Sequence, residues 1–67
     1  MSTATYTVTG MTCEHCVASV REEIEEIDGV RSVDVSLDTG AVEVTSDREL
    51  DPSEVNAAVT EAGYQLA

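Results

Sequence analysis

The segment Cys13-Glu14-His15-Cys16 concentrates the reactive side chains of this sequence. Two cysteines separated by two residues can turn both sulfur atoms toward one point, and thiolates select soft metal ions, Cu(I) first among the common ones. Cu(I) accepts two ligands, whereas a structural zinc ion usually takes four. Because the chain has only two cysteines and one histidine, the ligand count favours Cu(I) over a closed zinc site.

The same cysteine pair has a competing interpretation as a dithiol redox centre. A redox domain of the thioredoxin type is usually longer than this chain, and no Trp or Pro flanks the pair here. Nothing else in the sequence pairs a nucleophile with a positioned base. We therefore predict that the protein is not an enzyme, and a dithiol oxidoreductase is the less favoured alternative.

Three further side chains could assist the pair. The thioether of Met11 could act as a further metal ligand, although a Met at such a position more often fills the core. His15 is expected to be an exposed residue of the loop or first helical turn, and it could tune the thiols or act as an occasional third ligand. Tyr64 is either a core or edge aromatic residue or a lid that shields the metal from water.

Apolar periodicity predicts the elements that must position these residues. Alternating residues predict strands at Thr3–Thr9, Val30–Leu37 and Ala41–Thr45, and a short last strand at Tyr64–Leu66. A helical period starts at Val17 and runs to Ile27, followed by a stop at Asp28-Gly29. A second helix is predicted after an Asp51 cap, with Pro52 at its first position and Glu54 at its third. Leu50 and Val55 would form a hydrophobic staple at its start, and Gly63 would end it.

Each predicted helix has one apolar stripe and each predicted strand one apolar face. The inward residues would be Tyr6, Val8, Val17, Val20, Ile24, Ile27, Val33, Val35, Leu37, Val42, Val44, Val55, Ala58, Val59 and Ala62. Two layers bury these faces most economically. We predict an α+β, ferredoxin-like β-α-β-β-α-β sandwich, with a four-stranded antiparallel sheet and both helices on one face.

In this arrangement the cysteine pair lies where the first strand gives way to the first helix. The unpaired amides and the positive end of the helix dipole there favour an anion, so that a thiolate is stabilised and its pKa falls. The loop before the last strand should lie at the same end of the sheet, which would bring Tyr64 near the pair.

Length and charge exclude several classes of protein. The 67 residues allow one small domain, 1–67. Fourteen acidic residues against three arginines give a formal charge of −11, which argues against nucleic acid and anionic membrane surfaces. No signal peptide and no apolar run of membrane-spanning length is present, so a cytoplasmic protein is expected.

Gly10-Met11-Thr12-Cys13-Glu14-His15-Cys16 resembles the G-M-x-C-x-x-C motif of the heavy-metal-associated domain family. The apolar spacing of the first helix, Asp28-Gly29-Val30, the hairpin around Gly40 and Ala62-Gly63-Tyr64 extend the resemblance over almost the whole chain. The family has a ferredoxin-like fold and includes small copper chaperones, metal-binding domains of copper ATPases, and mercury, zinc and cadmium relatives.

The resemblance implies that Cys13 and Cys16 bind Cu(I) and that Met11 packs beneath the loop without coordinating. Tyr64 stands where bacterial-type chaperones similarly have Tyr. Thr12 stands where zinc, cadmium and lead members tend to have an acidic ligand, so its presence favours copper.

We therefore expect a small bacterial or archaeal type of copper chaperone. It would hold one Cu(I) ion and pass it by ligand exchange to the metal-binding domain of a copper-transporting P-type ATPase. A monomer is expected without metal, with a copper-bridged dimer as a second state. The alternatives are a copper buffering or storage module and an excised N-terminal domain of a copper ATPase.

Overall fold

The computed structural model describes residues 1–67 and contains six elements in the predicted order. They are β1 (Ser2–Thr9), α1 (Glu14–Glu25), β2 (Val30–Val35), β3 (Ala41–Ser46), α2 (Pro52–Glu61) and β4 (Gln65–Leu66). The strands form one antiparallel sheet with the order β2-β3-β1-β4. The two helices contact each other and cover one face of this sheet. The predicted ferredoxin-like fold is confirmed.

The core is almost entirely aliphatic. Its buried side chains come from the inner face of the sheet and from one stripe of each helix, and they are Val8, Val20, Ile24, Val33, Val42, Val44, Val55 and Val59. Partly buried residues complete the layer between sheet and helices, among them Tyr6, Met11 and Tyr64. All eight buried side chains were predicted to face inward, because periods of two and of about 3.6 residues distinguish strands from helices.

Helix α1 begins three residues before the predicted start at Val17. Cys13 is its N-cap, with extended backbone (φ −155°, ψ 172°), and the Cys13 carbonyl accepts bonds from the amides of Cys16 at 3.1 Å and Val17 at 3.3 Å. The first turn therefore includes Cys16. The prediction was wrong about this boundary because the side chains of Glu14 and His15 are exposed and carry no apolar signal.

Two further predicted boundaries were also wrong. Helix α1 ends at Glu25, and the Ile27 amide bonds to the Ile24 carbonyl at 3.0 Å in a tighter turn. Strand β2 ends at Val35, since the Ser36 amide already bonds to the Ala41 carbonyl at 2.8 Å and closes the hairpin. Leu37 therefore lies in the turn and is 36% exposed, whereas alternation had placed it in the core.

Helix α2 starts as predicted. The Asp51 side chain accepts a bond from the Ser53 amide at 3.2 Å, and the Glu54 carboxylate accepts one from the Asp51 amide at 3.0 Å, which completes a capping box. Arg48 reinforces this start with a two-pronged ion pair to Glu54 at 2.8 and 3.0 Å. Its Nε atom also donates to the Asp28 carbonyl at 3.1 Å, which ties the end of β3 to the segment after α1.

Three loops meet at one end of the sheet. Strand β1 runs toward this end, and β3 and β4 each pair with β1 in the antiparallel direction. The turn 36–40 before β3 and the loop 62–64 before β4 therefore lie beside the last residues of β1. The loop 10–13 leaves β1 there and leads into α1. The cysteine-bearing segment is thus held between two other chain connections. No helix has the length and apolar character needed to cross a membrane.

Candidate metal centre

The two cysteine sulfurs lie together at the N-terminus of α1. Cys13 is the N-cap and Cys16 belongs to the first turn, which separates their Sγ atoms by only 3.4 Å. Both thiols are free, with Cys13 exposed and Cys16 half-buried. The C-x-x-C spacing therefore does what the sequence predicted: the sulfurs converge on one point that is open to solvent.

The local environment favours the thiolate form of Cys16. Its pKa is lowered from 9.0 to about 6, first by backbone hydrogen bonding at Thr12, then by the Tyr64 hydroxyl and by the Cys13 side chain. The pKa of Tyr64 is raised in turn, chiefly by its interaction with Cys16, because a phenol that donates to a thiolate holds its own proton more firmly. The thiolate of Cys16 is therefore favoured at neutral pH, and a thiolate is the form of cysteine that binds metals.

Tyr64 reaches this site from the opposite end of the sequence. It follows Gly63, whose φ of +94° turns the chain after α2, and its amide bonds to the Val59 carbonyl at 3.0 Å. Its ring packs against the first residue of the cysteine loop, since a Cβ atom on Gly10 would lie 3.4 Å from Tyr64 Cδ1. The structure thus places Tyr64 beside the thiols and also against the hydrophobic core, and its role as a lid stays a prediction.

Met11 and Thr12, the two residues before Cys13, differ in burial. Met11 is half-buried and packs against the hydrophobic core. Thr12 is exposed, and its hydroxyl lies 3.9 Å from Cys16 Sγ. Its backbone has the larger influence on Cys16, which the sequence did not predict because a backbone contact has no residue-type signature.

His15 is not gathered with the cysteines into a larger ligand set. It is exposed in the first turn of α1, and no three or more His, Cys, Asp or Glu side chains form a group that could hold a metal ion. The two sulfurs are therefore the candidate donor set of the site. This set matches a soft ion of low coordination number and falls short of the four ligands of a structural zinc site.

Several known proteins and solved structures match this chain along almost its whole length. The copper chaperone CopZ of Bacillus subtilis is 37% identical over 68 residues, which cover 100% of this chain and 99% of that protein. A solved structure of the CopZ metallochaperone superposes with a TM-score of 0.91 at 36% identity, covering 98% of this chain and 100% of that one. The N-terminal domain of PacS from Synechocystis PCC6803 has a TM-score of 0.89 at 27% identity, covering 100% of this chain and 96% of that one.

Similarity also extends to part of a larger enzyme. Mercuric reductase of Serratia marcescens is 41% identical over 58 residues, which are 87% of this chain but only 13% of the reductase. The match therefore concerns one small portion of that enzyme. The model of the heavy-metal-associated domain matches residues 5–65, a span that includes the cysteine pair and Tyr64. This chain belongs to the heavy-metal-associated domain family.

Proposed function

We propose that this protein is a Cu(I) chaperone that binds one ion between Cys13 and Cys16 and hands it to a copper-transporting P-type ATPase. The observation that carries the proposal is the pair of free sulfurs 3.4 Å apart on an exposed helix N-terminus. Full-length similarity to a copper chaperone supports the choice of metal. Residues 1–67 form one heavy-metal-associated domain in this proposal, and the cytoplasmic setting predicted from the sequence belongs to it.

Binding begins from an asymmetric pair of thiols. The thiolate of Cys16 is favoured at neutral pH because its pKa is lowered to about 6, and both cysteines bind the ion as thiolates. An ion held on a straight line between the two sulfurs would require them to separate from their present 3.4 Å. The exposed Cys13 side chain has the freedom to rotate for this.

Transfer then proceeds by exchange of thiolates. Two-coordinate Cu(I) leaves room for an incoming thiolate from the acceptor, so each step forms one copper–sulfur bond and breaks one, without a change in oxidation state. Cys13 is the ligand that the acceptor displaces first, because it is exposed whereas Cys16 is half-buried. The formal charge of −11 speeds approach to a basic or mixed patch on the acceptor domain. No catalytic group is needed, and the protein is not an enzyme in this proposal.

A second candidate function is that of a metal-binding domain within a copper ATPase. The fold similarity to the N-terminal domain of PacS favours it, with a TM-score of 0.89. The ligand pair and the exchange chemistry would be the same in both cases. A copper storage module, which would form copper-bridged dimers, and a dithiol oxidoreductase remain the alternatives from other functional classes.

Titration with Cu(I) in the presence of a strong competing chelator tests the proposal. We expect one ion per monomer, with tight binding abolished in Cys13→Ser and in Cys16→Ser and retained in the control Ser32→Ala, which changes an exposed hydroxyl on β2. The loaded protein should then transfer copper to the isolated metal-binding domain of a copper ATPase. Tight binding by either serine variant would refute the ligand assignment, and multi-copper dimers would favour storage.

A further inference from the structure

Strand β1 has an outer edge that is only partly covered. It lies between β3 and β4 in the sheet, but β4 pairs only with Val8 and Thr9. One more bond, from the Ala67 amide to the Thr7 carbonyl at 2.8 Å, extends this ladder. Within residues 1–67, no strand pairs with the first half of β1, which begins at Ser2, on this side. We call the stretch from Ser2 to Tyr6 the open edge.

Backbone groups of Thr3 and Thr5 face the open edge. Successive residues of an antiparallel strand bond to alternate neighbours. The Val8 amide bonds to Gly40 on the β3 side, whereas the Thr7 carbonyl bonds toward β4. Counting back from Thr7 in steps of two residues places the amides and carbonyls of Thr3 and Thr5 on the uncovered side. They offer donors and acceptors in the register that an added strand requires.

This edge lacks the features that protect sheet edges from pairing. Exposed edges of native sheets usually carry charges, proline or bulges. The other edge strand, β2, has both Arg31 and Asp34 and a register shift near its start. By contrast, the first charged side chain of the sequence is Glu14, so the whole of β1 is free of charge in a chain of net charge −11. The open edge is therefore suited to accept a strand.

A groove of about 360 Å³ lies beside the open edge. Its apolar lining comes from β1, β3 and the start of α2, and consists of Ala4, Tyr6, Val44, Leu50 and Pro52. Ala4 and Tyr6 point to the inner side of the sheet. Alternate side chains of a strand added next to β1 would point to the same side and enter this groove.

The charge around the groove indicates what kind of strand fits. Glu49 is the one charged residue in its lining, and the whole chain carries −11. A second copy of this protein would bring a further Glu49 and equal negative charge to the contact. We infer that the open edge and its groove bind an extended, basic segment of a partner protein as an added strand, with alternate apolar side chains in the groove.

Such binding would leave the thiols accessible. Thr3 and Thr9 are six residues apart on an extended strand, a separation of about 20 Å, and the cysteine loop begins after Thr9. A partner could therefore hold the protein by the open edge while Cys13 and Cys16 exchange an ion at the other end. Backbone pairing, the shape of the groove and the charge around it do not depend on which metal is bound.

An amide-exchange experiment on the unsubstituted protein provides the first test. The probe is an acetylated, amidated peptide of about six residues in which Val and Lys alternate. We expect it to slow exchange of the Thr3 and Thr5 amides and to shift resonances around Ala4, Leu50 and Glu49, with Cys13 and Cys16 unaffected. A peptide of alternating Val and Glu should not bind. No protection of Thr3 and Thr5 by the Val–Lys peptide would overturn the inference.

Two matched pairs of variants provide the second test. Thr5→Pro removes an outward amide and should weaken peptide binding about five- to tenfold, the loss expected for one hydrogen bond, whereas Thr5→Val keeps that amide and the affinity. Glu49→Gln should weaken binding more than Glu43→Gln, an equal change of charge outside the groove. Equal losses of peptide affinity in Glu49→Gln and Glu43→Gln would mean that the attraction is nonspecific, and would refute the site. This comparison holds even if Thr5→Pro does not fold. A concentration-dependent dimer protected at Thr5 would identify a second copy as the occupant.

Discussion

The Tyr64 ring lies next to Gly10, where a Cβ atom on Gly10 would come into van der Waals contact with Tyr64 Cδ1 at 3.4 Å. Gly10 begins the loop that carries both thiols, and Tyr64 follows the last helix. The contact joins the first and last loops of the chain at the candidate metal centre and sets the Tyr64 hydroxyl beside Cys16, whose pKa it lowers. Tyr64 therefore influences the ionisation of Cys16 in addition to packing against the cysteine loop.

Tyr64→Phe keeps the ring against Gly10 but removes the hydroxyl. We expect the pKa of Cys16 to rise from about 6, because the thiolate loses a hydrogen-bond donor. The check is the pH dependence of alkylation at Cys16 in the reduced, metal-free protein, followed by mass spectrometry of the peptide. The profile should move to higher pH in Tyr64→Phe and stay unchanged in Tyr6→Phe, which removes a distant hydroxyl. An identical profile for Tyr64→Phe would contradict the role of the hydroxyl.

His15→Ala should leave Cu(I) binding nearly unchanged. His15 is exposed and belongs to no group of metal-binding side chains with the cysteines. Residues that support a metal ligand typically cost about tenfold or more in metal affinity when they are replaced. We expect a smaller change than this for His15→Ala when the affinity is measured against a competing chelator. A larger loss would show that His15 coordinates or positions the ion, which is the third-ligand role left open by the sequence.

Much of the fold followed from the sequence because its signals are local. The alternation around Val42 and Val44 and the helical spacing of Val20 and Ile24 identified the core. The capping pattern at Asp51 identified the start of α2. These signals depend on neighbours within a few residues, and the structure confirms them.

The errors arose where the deciding contact lies outside the local pattern. Leu37 continues the alternation of β2, but the hydrogen bond between Ser36 and Ala41 turns the chain before it. The convergence of Cys13 and Cys16 followed from their spacing. A lowered thiolate pKa and a position of Tyr64 near the pair were both predicted, but the hydrogen bonding of Cys16 to the Thr12 backbone and to the Tyr64 hydroxyl depends on the folded structure.

Gly40→Ala should destabilise the fold. Gly40 has φ +74°, and a Cβ atom there would lie 2.6 Å from the Val8 carbonyl oxygen, so the turn next to the cysteine loop must shift. We expect a loss of about 2–4 kcal/mol in the free energy of unfolding from the strained backbone and the displaced carbonyl. Urea denaturation of the metal-free protein measures it. Gly63→Ala is the control, because its φ is also positive but its Cβ meets no atom within 4 Å, and an equal loss there would exclude the contact with Val8 as the cause.

Glu54 should make stability fall in acid. The Arg48 guanidinium, followed by the Asp51 amide, lowers the pKa of Glu54 from 4.5 to about 2. A carboxyl group whose pKa is lower in the folded state stabilises the fold above its unfolded pKa, and this contribution is lost as the pH falls from about 4.5 to about 2. Glu54→Gln should therefore reduce stability at neutral pH and flatten the pH dependence within that window. Urea unfolding at several pH values tests this, with Glu43→Gln as the control because Glu43 makes no ion pair. If Glu54→Gln lost as much stability in acid as Glu43→Gln and the unsubstituted protein, the ion pair between Arg48 and Glu54 would not be the source of that loss.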